Sequence, residues 1–143
     1  MAVIKHLFHI AAPRADVYKA LSTIDGLSNW WTTDVKGDSK AGGTIEFKFG
    51  KGGHDAKVLE LTPNELVKWE NLTGFGDWKG TTITFYLDEN DGKTRVRFTQ
   101  DGWKEADDMY ASVNFSWALY LVSLKKLCET GTGQAYGSAT YRK

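Results

Sequence analysis

The sequence predicts an α+β domain: a curved antiparallel sheet of about six or seven strands wrapped around a long C-terminal helix, with two short helices after strand one. Three observations predict it. A period-two N-terminal segment gives way to helical spacing at Pro13, clustered turn residues punctuate residues 35–100, and the longest helical periodicity comes last, from Asp107 or Asp108 to about Thr130.

Ile4, His6, Phe8 and Ile10 share one face of the first strand, opposite Lys5 and His9. Pro13 suits a first helical turn, where its missing N–H costs nothing, and Val17, Ala20, Leu21 and Ile24 follow at helical spacing. Asp25 is the expected N-cap of a second short helix carrying Leu27 and Trp30 or Trp31, with Gly26 permitting the change of direction. Beyond Val35, Gly42-Gly43, Gly50 to Gly53, Pro63-Asn64, Gly74 to Gly76 and Asn90-Asp91-Gly92 separate strand-like segments. Ile45, Phe47 and Phe49, then Ile83, Phe85 and Leu87, then Val96 and Phe98 each alternate with more polar positions. Val58 to Leu61 and Leu66 to Trp69 are apolar on both faces, and pattern leaves their register open. In the last helix Tyr110, Val113, Trp117, Tyr120, Leu121, Leu124, Leu127 and Cys128 form a broad apolar stripe, which only the sheet is wide enough to cover. Gly131 is available to end it, and residues 133–143 read as a flexible tail.

At 143 residues with 41% hydrophobic composition, the chain fits one domain, 1–143, with a substantial core. Eighteen basic residues balance eighteen acidic ones and form no basic stripe, so nucleic acid is not an expected partner. One cysteine, Cys128, makes no internal disulfide, which suits a reducing compartment. No stretch has the length of a membrane span, and the N-terminus lacks a signal-peptide core; a cytoplasmic protein is expected.

No motif announces a reaction. Gly50-Lys51-Gly52-Gly53 lacks the spacing and following helix of a phosphate loop and reads as a hairpin. Aligning Gly92 with the glycine of a calcium loop puts Leu87 and Phe98 at ligand positions, so Asp88 to Gly92 reads as a turn. His6, His9 and His54 sit at no metal-ligand spacing, and Cys128 reads as a buried hydrophobe. Neither metal nor cofactor is expected, and no catalytic residue is assigned.

The ordered set Ile10-Ala11-Ala12-Pro13, Val17, Ala20-Leu21, Trp30-Trp31, Gly42-Gly43, Thr62 to Val67 and Glu129-Thr130-Gly131 resembles the family related to the activator of the heat-shock protein 90 ATPase, within the START-like (SRPBCC) superfamily. The resemblance covers nearly the whole chain. It implies the helix-grip fold, with a cavity between sheet and long helix.

Given such a cavity, Phe8, Trp30, Trp31, Phe47, Trp69, Phe85, Phe98, Val113, Trp117, Tyr120 and Leu121 are the candidate lining, although each also suits ordinary core packing. His6 is the one polar residue on the inward face of strand one; it could orient a ligand, against the stronger reading of a satisfied core histidine. Of Trp30 and Trp31, one is expected to pack inward and the other to lie near a surface or cavity mouth. Phe75 and Trp78, between glycines, suggest an exposed mobile lid. The leading functional reading is a non-enzymatic binding protein for a small hydrophobic molecule, lipid-like or polycyclic aromatic. The alternatives are a chaperone-associated regulator, implied by the family, and a cyclase-like enzyme of the superfamily.

Overall fold

A computed structural model describes residues 1–142. Seven antiparallel strands form one sheet in the order β1-β7-β6-β5-β4-β3-β2: β1 Ala2–Ile10, β2 Asp34–Gly37, β3 Thr44–Phe49, β4 Gly52–Thr62, β5 Leu66–Asn71, β6 Thr82–Asn90 and β7 Lys93–Trp103. Helices α1 (Arg14–Ser22) and α2 (Ile24–Trp30) follow β1, and α3 (Asp108–Thr130) closes the apolar face of the sheet. Strands β2 to β7 pair in chain order, with the longer 72–81 segment joining β5 to β6, while β1 lies at the far edge beside β7. The predicted architecture is the one observed.

The two registers left open by pattern are set by a bulge. Pairing of β4 with β5 shifts between Val58 and Glu60, which leaves Leu59 unpaired and 42% exposed. One extra residue reverses the faces. His54, Ala56 and Val58 therefore point inward before the bulge, and Val67, Trp69 and Asn71 point inward from β5.

Two expectations for the short helices change. Thr23, rather than Asp25, caps α2, its hydroxyl accepting from the Gly26 amide at 3.0 Å. Gly26 permits close approach: a Cβ there would stand 2.6 Å from the Ala20 Cα, so α1 and α2 touch backbone to backbone. At α3 the Asp107 carboxylate accepts from the Tyr110 amide, and Gly131 ends the helix with its amide donating to the Leu127 carbonyl.

Residues 133–142, expected as a flexible tail, pack against α2 and α3; Lys143 lies outside the described residues. Gly133 and Ala135 are small enough to be buried there. The Tyr136 amide donates to the Trp31 carbonyl and its carbonyl accepts from Thr33, both at 2.9 Å. Ser123, a polar residue on α3, is the buried junction: its hydroxyl donates to the Trp30 carbonyl at 2.8 Å and accepts from the Gln134 amide at 2.7 Å.

Side chains of α3 also reach the outer edge of β1. The Tyr110 hydroxyl donates to the Val3 carbonyl at 2.8 Å, and Lys125 Nζ donates to the His9 carbonyl at 2.6 Å. Lys125 pairs with Glu129, whose carboxylate accepts from the Ala11 amide at 2.7 Å and is held below the usual carboxylate range chiefly by that bond.

Candidate functional site

A pocket of about 270 Å³ opens between α3, the β3–β4 hairpin and the 74–78 segment. Its floor is Trp31 and Trp117, with His54 and Trp78 on one wall; Phe49, Phe75, Met109, Val113, Ser116 and Tyr120 complete it.

Trp31 is the centre of the aromatic cluster. Its ring lies 4.5 Å from Phe47, 4.9 Å from Trp117 and 5.2 Å from His54, and is stacked nearly parallel to Trp30 on one contact and Trp69 on another. Both neighbouring tryptophans are buried, Trp30 at 0% and Trp31 at 2% exposure, so neither lies at the surface; Trp30 packs inward and Trp31 lines the pocket. Trp31 caps α2 in right-handed helical conformation, its amide bonded to the Leu27 carbonyl, and each ring finds its own cover: Trp30 against Phe85 and the Ala20 carbonyl, Trp31 against Phe47, Trp69 and Trp117. Trp30 Nε1 donates to the Ala20 carbonyl at 2.9 Å and belongs to the core beneath.

Of the other sequence candidates, Val113, Trp117 and Tyr120 line the pocket. Phe47 and Trp69 back Trp31, while Phe98 and Phe85 lie deeper, Phe98 against Trp117 at 4.4 Å. His6, Phe8 and Leu121 do not reach it. They line a separate groove of about 150 Å³ on the opposite flank of α3, where His6 packs on Phe98 and its Nε2 has no partner.

His54 is the site residue that motif spacing passed over. Its signal was the β4 alternation with Ala56 and Val58, visible once the bulge is placed. The ring lies 4.9 Å from Phe47 and 4.7 Å from Trp78, and burial pushes its pKa down to about 3. The imidazole is therefore neutral at physiological pH. Its Nε2 has no hydrogen-bond partner, and neither does Trp78 Nε1 in the same wall. The two atoms thus sit buried and without partners in a largely aromatic wall.

Trp78 is half-buried in a single 3-10 turn, Gly76–Trp78, whereas Phe75 is 85% exposed, so the expected exposure holds for Phe75 alone. The turn depends on Gly74: at φ +141° a Cβ there would stand 2.3 Å from the Trp78 ring. Behind the pocket runs a buried polar chain. Trp117 Nε1 donates to Gln100 Oε1 at 2.7 Å, Gln100 Nε2 donates to Thr81 Oγ1 at 2.9 Å, and Thr81 Oγ1 donates to the Trp78 carbonyl at 2.6 Å. Gln100 thereby ties the Trp117 floor to the Trp78 wall.

Among the described residues, no three His, Cys, Asp or Glu side chains are grouped to hold a metal ion, and no helix is long and apolar enough to cross a membrane. Cys128 is half-buried beside α1, its thiol pushed up to about 12, chiefly by burial. Burial, with the Tyr141 hydroxyl beside it, likewise raises the Tyr120 phenol.

The family model for activator of Hsp90 ATPase homolog 1-like proteins matches residues 11–129. The chain belongs to that family. Within it, the solution structure of the Aha1 dimer from Colwellia psychrerythraea is similar at 43% identity, covering 93% of this chain and 100% of that one, with a TM-score of 0.85. Two more distant structures share the fold: protein MLL2253 from Mesorhizobium loti (18% identity, 88% and 96% coverage, TM-score 0.78) and CalU16 from Micromonospora echinospora (18%, 98% and 71%, 0.78). No curated protein matches the chain. The helix-grip architecture that the family carries is thus the one that builds this pocket between sheet and α3.

Proposed function

We propose that this family member binds a small, uncharged aromatic molecule in the pocket over Trp31, with His54 and Trp78 holding its one polar group. The observation that carries the reading is the pair of unpartnered nitrogens, His54 Nε2 and Trp78 Nε1, in an aromatic wall. A dry cavity of ~150 Å³ takes one benzene-sized ring, so a pocket of about 270 Å³ suits roughly two fused rings better than a long acyl chain. No cation lines the pocket, which disfavours a carboxylate. With its pKa near 3, His54 is a poor proton acceptor at neutral pH, which supports binding over general-base catalysis.

The test is a titration with 2-naphthol, 2-naphthoate and palmitate, read by amide and indole chemical shifts. The expected result is saturable binding of 2-naphthol with the Trp78 indole N–H shifting most, and at least tenfold weaker binding of the two acids. Absence of 2-naphthol binding, or shifts confined to other surfaces, would overturn the proposal. The family's name supports a second reading, regulation of a chaperone ATPase, for which Phe75 at the pocket mouth supplies an exposed aromatic contact; stimulation of a cognate Hsp90 ATPase, lost in Phe75→Ser, tests it. By likeness to the Colwellia dimer, self-association is proposed for this chain also.

A further inference from the structure

The outward face of α3 carries an apolar seam that nothing in the fold covers. Asp108, Ser112, Phe115, Leu119, Val122 and Lys126 are all exposed, at successive spacings of four and three residues, the repeat along which one helix meets another. An outward helix face is ordinarily polar along its length. Here the three central positions are large and apolar, Phe115 at 69%, Leu119 at 38% and Val122 at 46% exposure. The ridge stands between two grooves. One, of about 150 Å³, separates it from Leu7 and Phe8 of β1; the other, of about 360 Å³, from Tyr141 and Arg142 of the C-terminal segment. Ridges flanked by grooves are the shape that helix packing interlocks.

We propose that this seam is where two copies of the chain associate, their α3 helices antiparallel about a twofold axis. The proposal rests on the self-association reading above and gives it a surface. Its ground is self-complementarity, which a twofold interface requires. The midpoint of Phe115 and Val122 falls between Ala118 and Leu119, and that of Asp108 and Lys126 falls at Trp117, only ~2 Å away along the helix. One axis therefore brings Phe115 against the partner's Val122, Leu119 against its own copy, and the acidic Asp108 end against the partner's Lys126. A parallel pairing would instead stack like charges at both ends. Antiparallel pairing also opposes the two helix dipoles.

Sedimentation equilibrium of the full chain decides the matter. The wild type is expected to be dimeric, and Phe115→Asp to raise the dissociation constant at least tenfold while leaving the circular dichroism unchanged. Asp108→Lys and Lys126→Asp should each weaken the dimer, and the double reversal should restore it. A wild type that stays monomeric at millimolar concentration overturns self-association itself. A dimer indifferent to Phe115→Asp overturns this surface while leaving self-association standing, and a double reversal no tighter than the single ones overturns the antiparallel register.

Discussion

His54 offers the sharpest test of how dry the site is. In the unfolded chain the imidazole takes up its proton near pH 6.5, whereas in the folded chain burial among Trp31, Phe47, Phe49 and Trp78 delays that to about pH 3. Between those values the unfolded state binds one proton more than the native state, so stability falls as pH falls. The slope is about 1.4 kcal/mol per pH unit, and the loss from pH 6.5 to pH 4.5 is roughly 2–3 kcal/mol. Above about pH 7.5 His54 contributes no pH dependence. His54→Phe keeps a planar ring of similar size and removes the proton. In urea unfolding followed by tryptophan fluorescence, the variant should lose roughly 2–3 kcal/mol less than wild type over that window. Asp88, brought down to about 2 chiefly by its hydrogen bond from Arg95, acts below pH 4 and stays out of the comparison. Parallel pH profiles for the two proteins would refute the reasoning, because they would mean that the folded protein protonates His54 as readily as the unfolded chain does.

Three further outcomes are expected. Gln100→Leu strands the buried Trp117 N–H and should cost about 1–3 kcal/mol by urea unfolding, much less in a Trp117→Phe background where that donor is absent; equal costs in both would show that the bond is not what Gln100 supplies. Gly74→Ala, which drives a methyl into the Trp78 ring, should shift the Trp78 indole resonance and weaken 2-naphthol binding at least tenfold, with the core resonances of β6 and β7 unmoved. Ser123→Ala leaves the Gln134 amide and the Trp30 carbonyl short of a partner, costs about 1–3 kcal/mol, and should raise hydrogen exchange at Tyr136 first.

The sheet was legible because its strands alternate, and α3 because its inward stripe is continuous; both signals are local and survive without tertiary context. The site was less so. Val113, Trp117 and Tyr120 could be named from the stripe, but Phe85 and Phe98 have the same pattern and lie deeper, since alternation gives a face and not a depth. His54 alternates with Ala56 and Val58, but the bulge at Leu59 reverses the faces beyond them, so the pattern of the whole strand did not say which face was inward, and a bulge leaves no compositional mark. Trp31 directly follows Trp30, and helical spacing alone does not show that two consecutive rings will both find cover, one against α1 and the sheet and the other against the sheet and α3. The C-terminal segment is glycine-rich and polar, which reads as a free tail unless the surface receiving Ala135 and Tyr136 is known.

The bonds from Tyr110 and Lys125 to the outer edge of β1 bear on how the protein survives at high concentration. An open strand edge is a template for another chain, and extended aggregates grow by adding strands there. With α3 docked, the Val3 and His9 carbonyls near the two ends of β1 are occupied, which shortens the template on that edge. Any excursion that lifts α3 to admit a bulkier guest to the sheet face breaks those same bonds and bares the edge. Generosity toward large ligands and resistance to aggregation are therefore opposed in this chain, and a small pocket under a firmly tethered helix is the compromise its sequence encodes.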